Sequence, residues 1–360
     1  MYSIVSCLTC FQSPVLRVNR RKYKIVRLLG EGGFSYVYLV EDIDDGQNYA
    51  LKKIRCPFGQ ESLQVAMSEV ENYRIFHSPQ VIRALGSAVV TDPDGSKVVY
   101  IVLPFYQRGN LQDRINRNLM NNQHFEESEL TRLLVEICRG ILVMHKHHLP
   151  SVESTVNLEE LDNSQVPDEN EEQRLLSGVD SGTDASTVDA TAMSEVVAFA
   201  HRDIKPANVM LSDQGTPILM DLGSCSRARM KLETRRKALE LQDLAAEHCT
   251  LPYRAPELFD VKTGASVDER VDIWSLGCTL FSLMYSVSPF EMQTNETGAS
   301  LSLAIANGQY KFPSEPNYSD QLKDIVRKCL TVDPQQRPFI DEILHDAQAL
   351  LETLDSQSSS

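Results

Sequence analysis

Between residues 103 and 110 this 360-residue chain changes from short β-runs to helical periodicity, and that change limits what it can fold into. An α+β class is expected, β-rich in its first part and helical in its second. From Tyr23 to Leu103 the runs KIVRLLG, FSYVYLVED, NYALKKI and VVYIVLPF are rich in β-formers. Turn signals separate them, among them Asp44-Asp45-Gly46 and Asp92-Pro93-Asp94-Gly95. One helical pattern interrupts: Val65, Met67, Val70, Tyr73 and Phe76 predict a helix near residues 61–77. Further on, Leu130, Leu133, Leu134, Ile137 and Ile141 fall at helix spacing, as do Ile273, Leu276, Leu280 and Leu283.

Residues 151–195 break both patterns. They hold twelve acidic side chains against one basic, Arg174, and no aromatic ring. Such a segment cannot bury enough apolar surface to offset its ordering entropy, so a disordered acidic insertion is expected. Stretching a loop about ninefold adds only about 2 kcal/mol of closure entropy, which a large domain absorbs. The insertion carries most of the formal charge of −15; the remainder is near balance and has no basic footprint for nucleic acid. It reads either as a passive spacer or as a docking site for a basic partner, attracting cations within a Debye length of ~8 Å. A leader over residues 1–19 and a flexible tail over 349–360 are expected to flank a domain spanning 20–348.

No apolar run approaches the roughly 20 residues that span a bilayer. The start, MYSIVSCLTCF, lacks the basic region of a signal peptide, so the chain is expected on the cytosolic side. Among eight Cys only Cys7 and Cys10 form a C-x-x-C pair, and no second pair completes a zinc site. Disulfides are not expected in a reducing compartment. His145, His147 and His148 crowd together without a Cys or acidic ligand at finger spacing. They read as basic side chains closing a helix rather than as a metal cluster.

The chemistry-bearing residues follow in order. Gly30-Glu31-Gly32-Gly33-Phe34-Ser35-Tyr36-Val37 lies between two β-runs, where glycines let backbone N–H groups approach phosphate oxygens closely. A hairpin turn has the same look. No Gly-Lys-Ser/Thr follows, and a strand rather than a helix comes next, so neither a Walker A loop nor a Rossmann turn is indicated. Lys52 stands among apolar neighbours and must find an anion or reach water. Glu69, on the expected helix, would fix its ammonium against the α- and β-phosphates of a nucleotide.

His201-Arg202-Asp203-Ile204-Lys205-Pro206-Ala207-Asn208 has the form H-R-D-x-K-x-x-N, whose five specified positions match by chance on the order of once in three million starts. Asp203 would accept the proton of an attacking hydroxyl. Lys205 would meet charge developing on the γ-phosphoryl group, and Asn208 would offer an amide oxygen to Mg²⁺. Asp221-Leu222-Gly223 follows a strand-like Ile218-Leu219-Met220 and would supply Asp221 as a second Mg²⁺ ligand; alone it is a common turn.

With these residues in order, the chain resembles the eukaryotic protein kinases over roughly residues 20–348. Ala255-Pro256-Glu257, Asp272-Ile273-Trp274-Ser275-Leu276-Gly277 and Arg337 extend the resemblance. It implies a bilobal protein kinase fold with a β-rich N-lobe, a helical C-lobe and ATP with Mg²⁺ between them. Nucleotide-binding positions implied are Leu29, Gly30, Glu31, Gly32, Gly33, Phe34, Ser35, Val37, Lys52, Glu69, and the hinge residues Pro104 and Tyr106. At the hinge the family uses a carbonyl at Pro104 and the N–H of Tyr106, so the proline is tolerated. The resemblance further implies a buried Glu257–Arg337 ion pair and an Asp272 that braces the catalytic loop. Two positions depart from the pattern: Ser35 replaces the third glycine and Leu222 the usual Phe, neither removing a chemical group. Lys205 and Thr250 look like the serine/threonine-specific pattern, which implies protein Ser/Thr substrates.

A closer resemblance is to the lipid-anchored branch of the Numb-associated kinase family. It is carried by residues 30–37, by Leu219-Met220-Asp221-Leu222-Gly223-Ser224 and by the stretch from Ala238 to Tyr253. In that stretch Leu239, Leu241, Leu244 and Ala245 would form an extra activation-segment helix. The branch implies an acylated N-terminus on the cytoplasmic face of Golgi, endosomal or vacuolar membranes. Tyr2 excludes myristoylation, which needs glycine there. Cys7 and Cys10 sit among Ile4, Val5, Leu8 and Phe11, with Arg17, Arg20, Arg21, Lys22 and Lys24 following. Two palmitoyl chains, or one with the basic patch, would make a stable anchor; a disordered leader with idle thiols is the alternative. Rival readings are a non-enzymatic scaffold and a small-molecule kinase. The presence of Lys52, Asp203 and Asp221 disfavours the first, and Ala255-Pro256-Glu257 the second. The activating phosphosite is open among Ser224, Ser226, Thr234 and Thr250.

Overall fold

Short runs in which apolar and polar residues face opposite sides give the first part of the chain an antiparallel sheet. The computed structural model describes residues 15–92, 94–148 and 195–358. Its chain divides into two units, Met1–Glu71 with Arg83–Phe105, and Asn72–Ile82 with Tyr106–Ser360. The first unit holds β1 (Val15–Val18), β2 (Arg21–Glu31), β3 (Ser35–Asp42), β4 (Asn48–Cys56), β5 (Gly86–Thr91) and β6 (Lys97–Pro104). They form one sheet in the order β1-β2-β3-β4-β6-β5. Between β4 and β5 runs α1 (Gln60–Ile75), the helix expected near residues 61–77. Asn19, in the β1–β2 turn, donates from Nδ2 to the carbonyl of Ser87 on β5, so the two edges of the sheet meet. Val18, Tyr23, Val40, Leu51, Ala88 and Val98 pack in the core on this side.

The second unit is helical apart from short ladders. Its elements begin with α2 (Leu111–Met120), α3 (Glu127–His145), β7 (His147–His148), β8 (Val196–Val197), β9 (Phe199–Ala200), β10 (Val209–Leu211) and β11 (Pro217–Leu219). They continue with β12 (Ser226–Arg227), β13 (Met230–Lys231), α4 (Arg235–His248), β14 (Ser266–Val267) and α5 (Arg270–Tyr285). The last are α6 (Pro289–Thr297), α7 (Leu301–Ala306), α8 (Asp320–Cys329) and α9 (Ile340–Ser358). A reciprocal cap starts α2: Asp113 N–H donates to Asn110 Oδ1 at 2.8 Å, and Asn110 N–H to Asp113 Oδ2 at 3.0 Å. All 16 residues of α5 are buried, so its apolar side chains are spread around the helix and polar ones such as Asp272 find partners inside the protein. A Cβ on Gly277 would stand 2.6 Å from Cys329 Cβ, so glycine is what lets α5 and α8 touch. No single described helix is long and apolar enough to cross a membrane.

Two expected boundaries are corrected. The expected leader, residues 1–19, is shorter in the fold, because Val15–Val18 pairs with β2 in the register Val15↔Lys24 to Val18↔Arg21. Val18 lies in the core and Leu16 packs against it. The expected flexible tail, residues 349–360, is largely helical, because α9 continues to Ser358. Leu350 extends the buried stripe of Ile340, Ile343 and Ala347, and Arg132 of α3 pairs with Asp355 at 2.6 Å. Cys7, Cys10 and most of the acidic insertion lie outside the described residues. The insertion's two ends are joined by the β7–β8 ladder, His147↔Val197 and His148↔Val196.

Candidate active site

In the first unit, β2 and β3 carry the glycine loop at their connection. The main-chain N–H of Gly32 donates to the Ser35 carbonyl at 2.8 Å, which closes the tip into a tight turn. Ser35 itself begins β3 opposite Ile54, so the departure from glycine is absorbed as a strand residue. Added Cβ atoms at Gly30 and Gly33 would meet nothing within 4 Å, leaving open space along the loop. Phe34 is half exposed and packs edge-on against Phe58 at 5.6 Å. Leu29 and Val37 are partly buried on the flanking strands.

Lys52 lies on β4 opposite Val37, and its Nζ meets Glu69 Oε1 of α1 at 2.6 Å. Both side chains are about nine-tenths buried, at 11% and 8% exposure. The pair anticipated from sequence is therefore formed. Pro104 ends β6 opposite Tyr49. The main-chain N–H of Tyr106 donates to no protein acceptor among the described residues, and burial pushes the Tyr106 phenol upward.

In the second unit, the catalytic-loop sequence hangs on one buried carboxylate. Asp272, fully buried near the start of α5, accepts from the main-chain N–H of His201 at 2.7 Å and of Arg202 at 2.8 Å. It also accepts from His145 Nε2 at 3.0 Å. Burial alone would raise this carboxyl, but the hydrogen bond from His145 and the Arg202 N–H hold it below the ordinary carboxylate range. His201 Nε2 donates to the Met220 carbonyl at 2.9 Å, so its Nδ1 is the acceptor facing the Asp203 N–H at 3.3 Å. Arg202, at φ 68°, is buried and donates to the Arg227 carbonyl; burial lowers its guanidinium from the usual value.

Asp203 gathers the remaining groups. Its Oδ1 accepts from Thr250 N–H at 2.9 Å and Thr250 Oγ1 at 2.6 Å. Its Oδ2 accepts from Lys205 Nζ at 2.7 Å and Asn208 Nδ2 at 2.8 Å. Lys205 also donates to Thr250 Oγ1 at 2.6 Å. The β10–β11 hairpin carries Asn208 and Asp221 at its open end, pairing Val209 with Leu219, and Met220 N–H donates to the Asn208 carbonyl at 3.0 Å. Asp221 sits at φ 61°, in the left-handed region that a non-glycine residue adopts at some cost.

Those two residues fit a hard divalent cation. Both hydrogens of Asn208 Nδ2 are committed, to the Asp203 carbonyl at 2.9 Å and to its carboxylate, so the amide oxygen is turned away from Asp203. An amide oxygen and a carboxylate, carried at one hairpin end, make an all-oxygen donor set.

Other expectations on the second unit are met in detail. Arg337 forms a two-pronged pair with Glu257, at 2.7 and 3.0 Å, its guanidinium fully buried. The extra helix is α4, with Leu241 and Ala245 buried but Leu239 and Leu244 exposed. Among the four hydroxyls left open, Thr250 is engaged on Asp203 and Ser224 Oγ donates to the His201 carbonyl, whereas Thr234 is exposed and caps α4.

Two supporting residues escaped the sequence reading. Asn72, one helical turn past Glu69, donates from Nδ2 to the carbonyls of Leu222 and Cys225 at 3.0 and 2.8 Å. Its signal was a polar residue on the apolar stripe of α1. His145, read as a helix-closing base, is a buried partner of Asp272, while the His147 ring packs edge-on against Phe76 and Phe199.

Comparison with known proteins agrees with this geometry. The protein kinase domain family model matches residues 23–150 and 189–347, leaving most of the acidic insertion outside the match. The chain is similar to serine/threonine-protein kinase ENV7 of Saccharomyces cerevisiae, at 40% identity over 99% of this chain and 98% of the relative. It is similar to serine/threonine-protein kinase 16 of Homo sapiens, at 35% identity over 95% and 94%. Serine/threonine-protein kinase ppk13 of Schizosaccharomyces pombe is 34% identical over 93% and 92%. With the family matched across most of its length and relatives aligned end to end, the chain belongs to the protein kinase family and is a protein serine/threonine kinase.

Proposed function

We propose that this kinase transfers the γ-phosphoryl group of Mg²⁺-bound ATP to protein Ser or Thr, with Asp203 as the residue that receives the substrate hydroxyl. The observation that carries this reading is the Asp203 carboxylate, which binds Lys205, Thr250 and Asn208 at once. A substrate hydroxyl would take the place of the Thr250 hydroxyl on Oδ1 and pass its proton to the carboxylate. Lys205 then faces charge gathering on the transferred group. Glu69 holds the Lys52 ammonium ready for the α- and β-phosphates, the open glycine loop gives main-chain access to them, and the Tyr106 N–H is available to adenine. Asn208 and Asp221 would hold Mg²⁺, which supplies charge neutralisation on the phosphate oxygens.

Two substitutions test these roles. Asp221→Asn is expected to lower transfer of radiolabelled phosphate to protein at least about 100-fold, with partial recovery at raised Mg²⁺. Lys52→Met removes the buried ammonium that Glu69 holds at 2.6 Å and is expected to lower kcat by a similar factor. Activity on a small-molecule acceptor but not on protein would reject the protein-substrate reading.

The finer placement rests on the leader. The chain fits the lipid-anchored branch of the Numb-associated kinases, acylated at Cys7 and Cys10 and held on the cytoplasmic face of Golgi, endosomal or vacuolar membranes. The β1–β2 hairpin supports it: Arg17 and Lys22 stand directly opposite one another, exposed, as like charges that favour an anionic surface nearby. Cys7→Ser with Cys10→Ser is expected to move the protein from the membrane pellet to the supernatant. Unchanged sedimentation would reject the anchor and leave the kinase reading intact.

A further inference from the structure

Three arginines of the second unit surround a cavity that phosphoryl transfer does not use. It has a volume of about 270 Å³ and opens between α2, the first turns of α3 and the β10–β11 turn. Leu111, Phe125, Leu133 and Leu211 give it a buried apolar floor. Arg108, Arg114 and Arg132 stand at its rim, Glu129 is the one carboxylate among the lining residues, and Asp355 pairs with Arg132 from outside it.

The rim is under-neutralised. Arg114 lies 5.7 Å from the Phe125 ring centre and reaches Glu129 at 3.4 Å, and its Nε is buried without a hydrogen-bond partner. Arg108 donates to the Asp213 carbonyl at 3.1 Å, a contact that leaves its charge uncompensated. Arg132 meets Asp355 at 2.6 Å in an exposed pair, of a kind worth roughly 0–1 kcal/mol. Forked cations above an apolar floor suit a chain segment that mixes carboxylates with leucines, since guanidinium groups bind carboxylates two-pronged.

The acidic insertion contains such a segment, Leu158-Glu159-Glu160-Leu161-Asp162. We propose that this segment docks in cis in the arginine-rimmed cavity, its carboxylates on the rim and its leucines on the floor. The reach is sufficient. Arg132 and His145 are thirteen residues apart on α3, about 20 Å along the helix. The insertion leaves just past that point, and the ten residues from His148 to Leu158 can span up to about 33 Å. Tethering of this length raises the local concentration of the segment to the millimolar range, so even a weak site is filled.

The test uses the full chain and a fluorescein-labelled peptide of residues 155–165, titrated by anisotropy at low salt. The E159K/E160K chain, its own segment repelled from the rim, is expected to bind the peptide at least about tenfold more tightly than wild type. Adding R108E/R132E to that chain is expected to weaken binding at least about tenfold, and salt to weaken it progressively. Equal binding by wild type and E159K/E160K would mean a rim open to acidic segments of other proteins, and would overturn docking in cis. No binding by E159K/E160K would overturn the site itself. Peptide phosphorylation within about twofold of wild type in each variant confirms that the fold is intact, because neither Arg108 nor Arg132 touches the reacting groups.

Discussion

Asp203→Asn is expected to lower kcat for peptide phosphorylation by about 10²–10⁴-fold while leaving nucleotide affinity within a few-fold of wild type. The carboxylate receives four donors, two from Thr250 and one each from Lys205 and Asn208. An amide in its place can present only one acceptor oxygen, so its NH₂ must face a group that also donates. The proton of the attacking hydroxyl then has no base within reach. Because the side chain is isosteric and neither Lys52 nor Glu69 is altered, binding of the nucleotide should survive. Single-turnover phosphate transfer, with nucleotide affinity measured separately, checks both halves. A loss smaller than tenfold would remove Asp203 from the chemistry.

The second large effect is expected on stability. Asp272→Ala should cost roughly 3–5 kcal/mol, because it strands two buried main-chain N–H groups and the His145 ring at once. For a large domain this corresponds to a fall of roughly 10 °C in the unfolding midpoint, which circular dichroism measures directly. Activity should fall with it, since the two N–H groups belong to His201 and Arg202 and set the backbone just before Asp203. The pH dependence has a definite sign. The folded carboxyl titrates below its ordinary value. Its stabilisation is therefore complete above the unfolded value of about 3.9 and is lost as pH falls through the lower folded one. Wild type should lose stability on acidification through that window, and the alanine variant should lack this part of the loss.

The groups proposed for catalysis were legible because such chemistry imposes short spacings: Asp203, Lys205 and Asn208 lie within six residues and meet in the fold. Lys52 and Glu69 were legible at longer range because a lysine in an apolar strand needs an anion, and a helix supplied one. What stayed hidden has no local signature. His145 and Asp272 are 127 residues apart, and nothing near either announces the other. Asn72 serves carbonyls 150 and 153 residues away. Thr250 was noted as a specificity marker, but its bond to Asp203 depends on how the activation segment returns. The boundaries missed at both ends have a different cause. Val15–Val18 is too short to show periodicity, and the last turns of α9 past Leu350 are polar and persist by continuing an established helix.

The two-residue ladder of β7 and β8 has a consequence for how this gene tolerates change. Since His148 and Val196 sit side by side, whatever sequence connects them begins and ends at one place on the surface. The strand into the catalytic loop starts only after that clasp, at Phe199. Foreign cargo, such as a fluorescent reporter or a folded tag whose termini are close together, could be spliced there without pulling on the reacting groups.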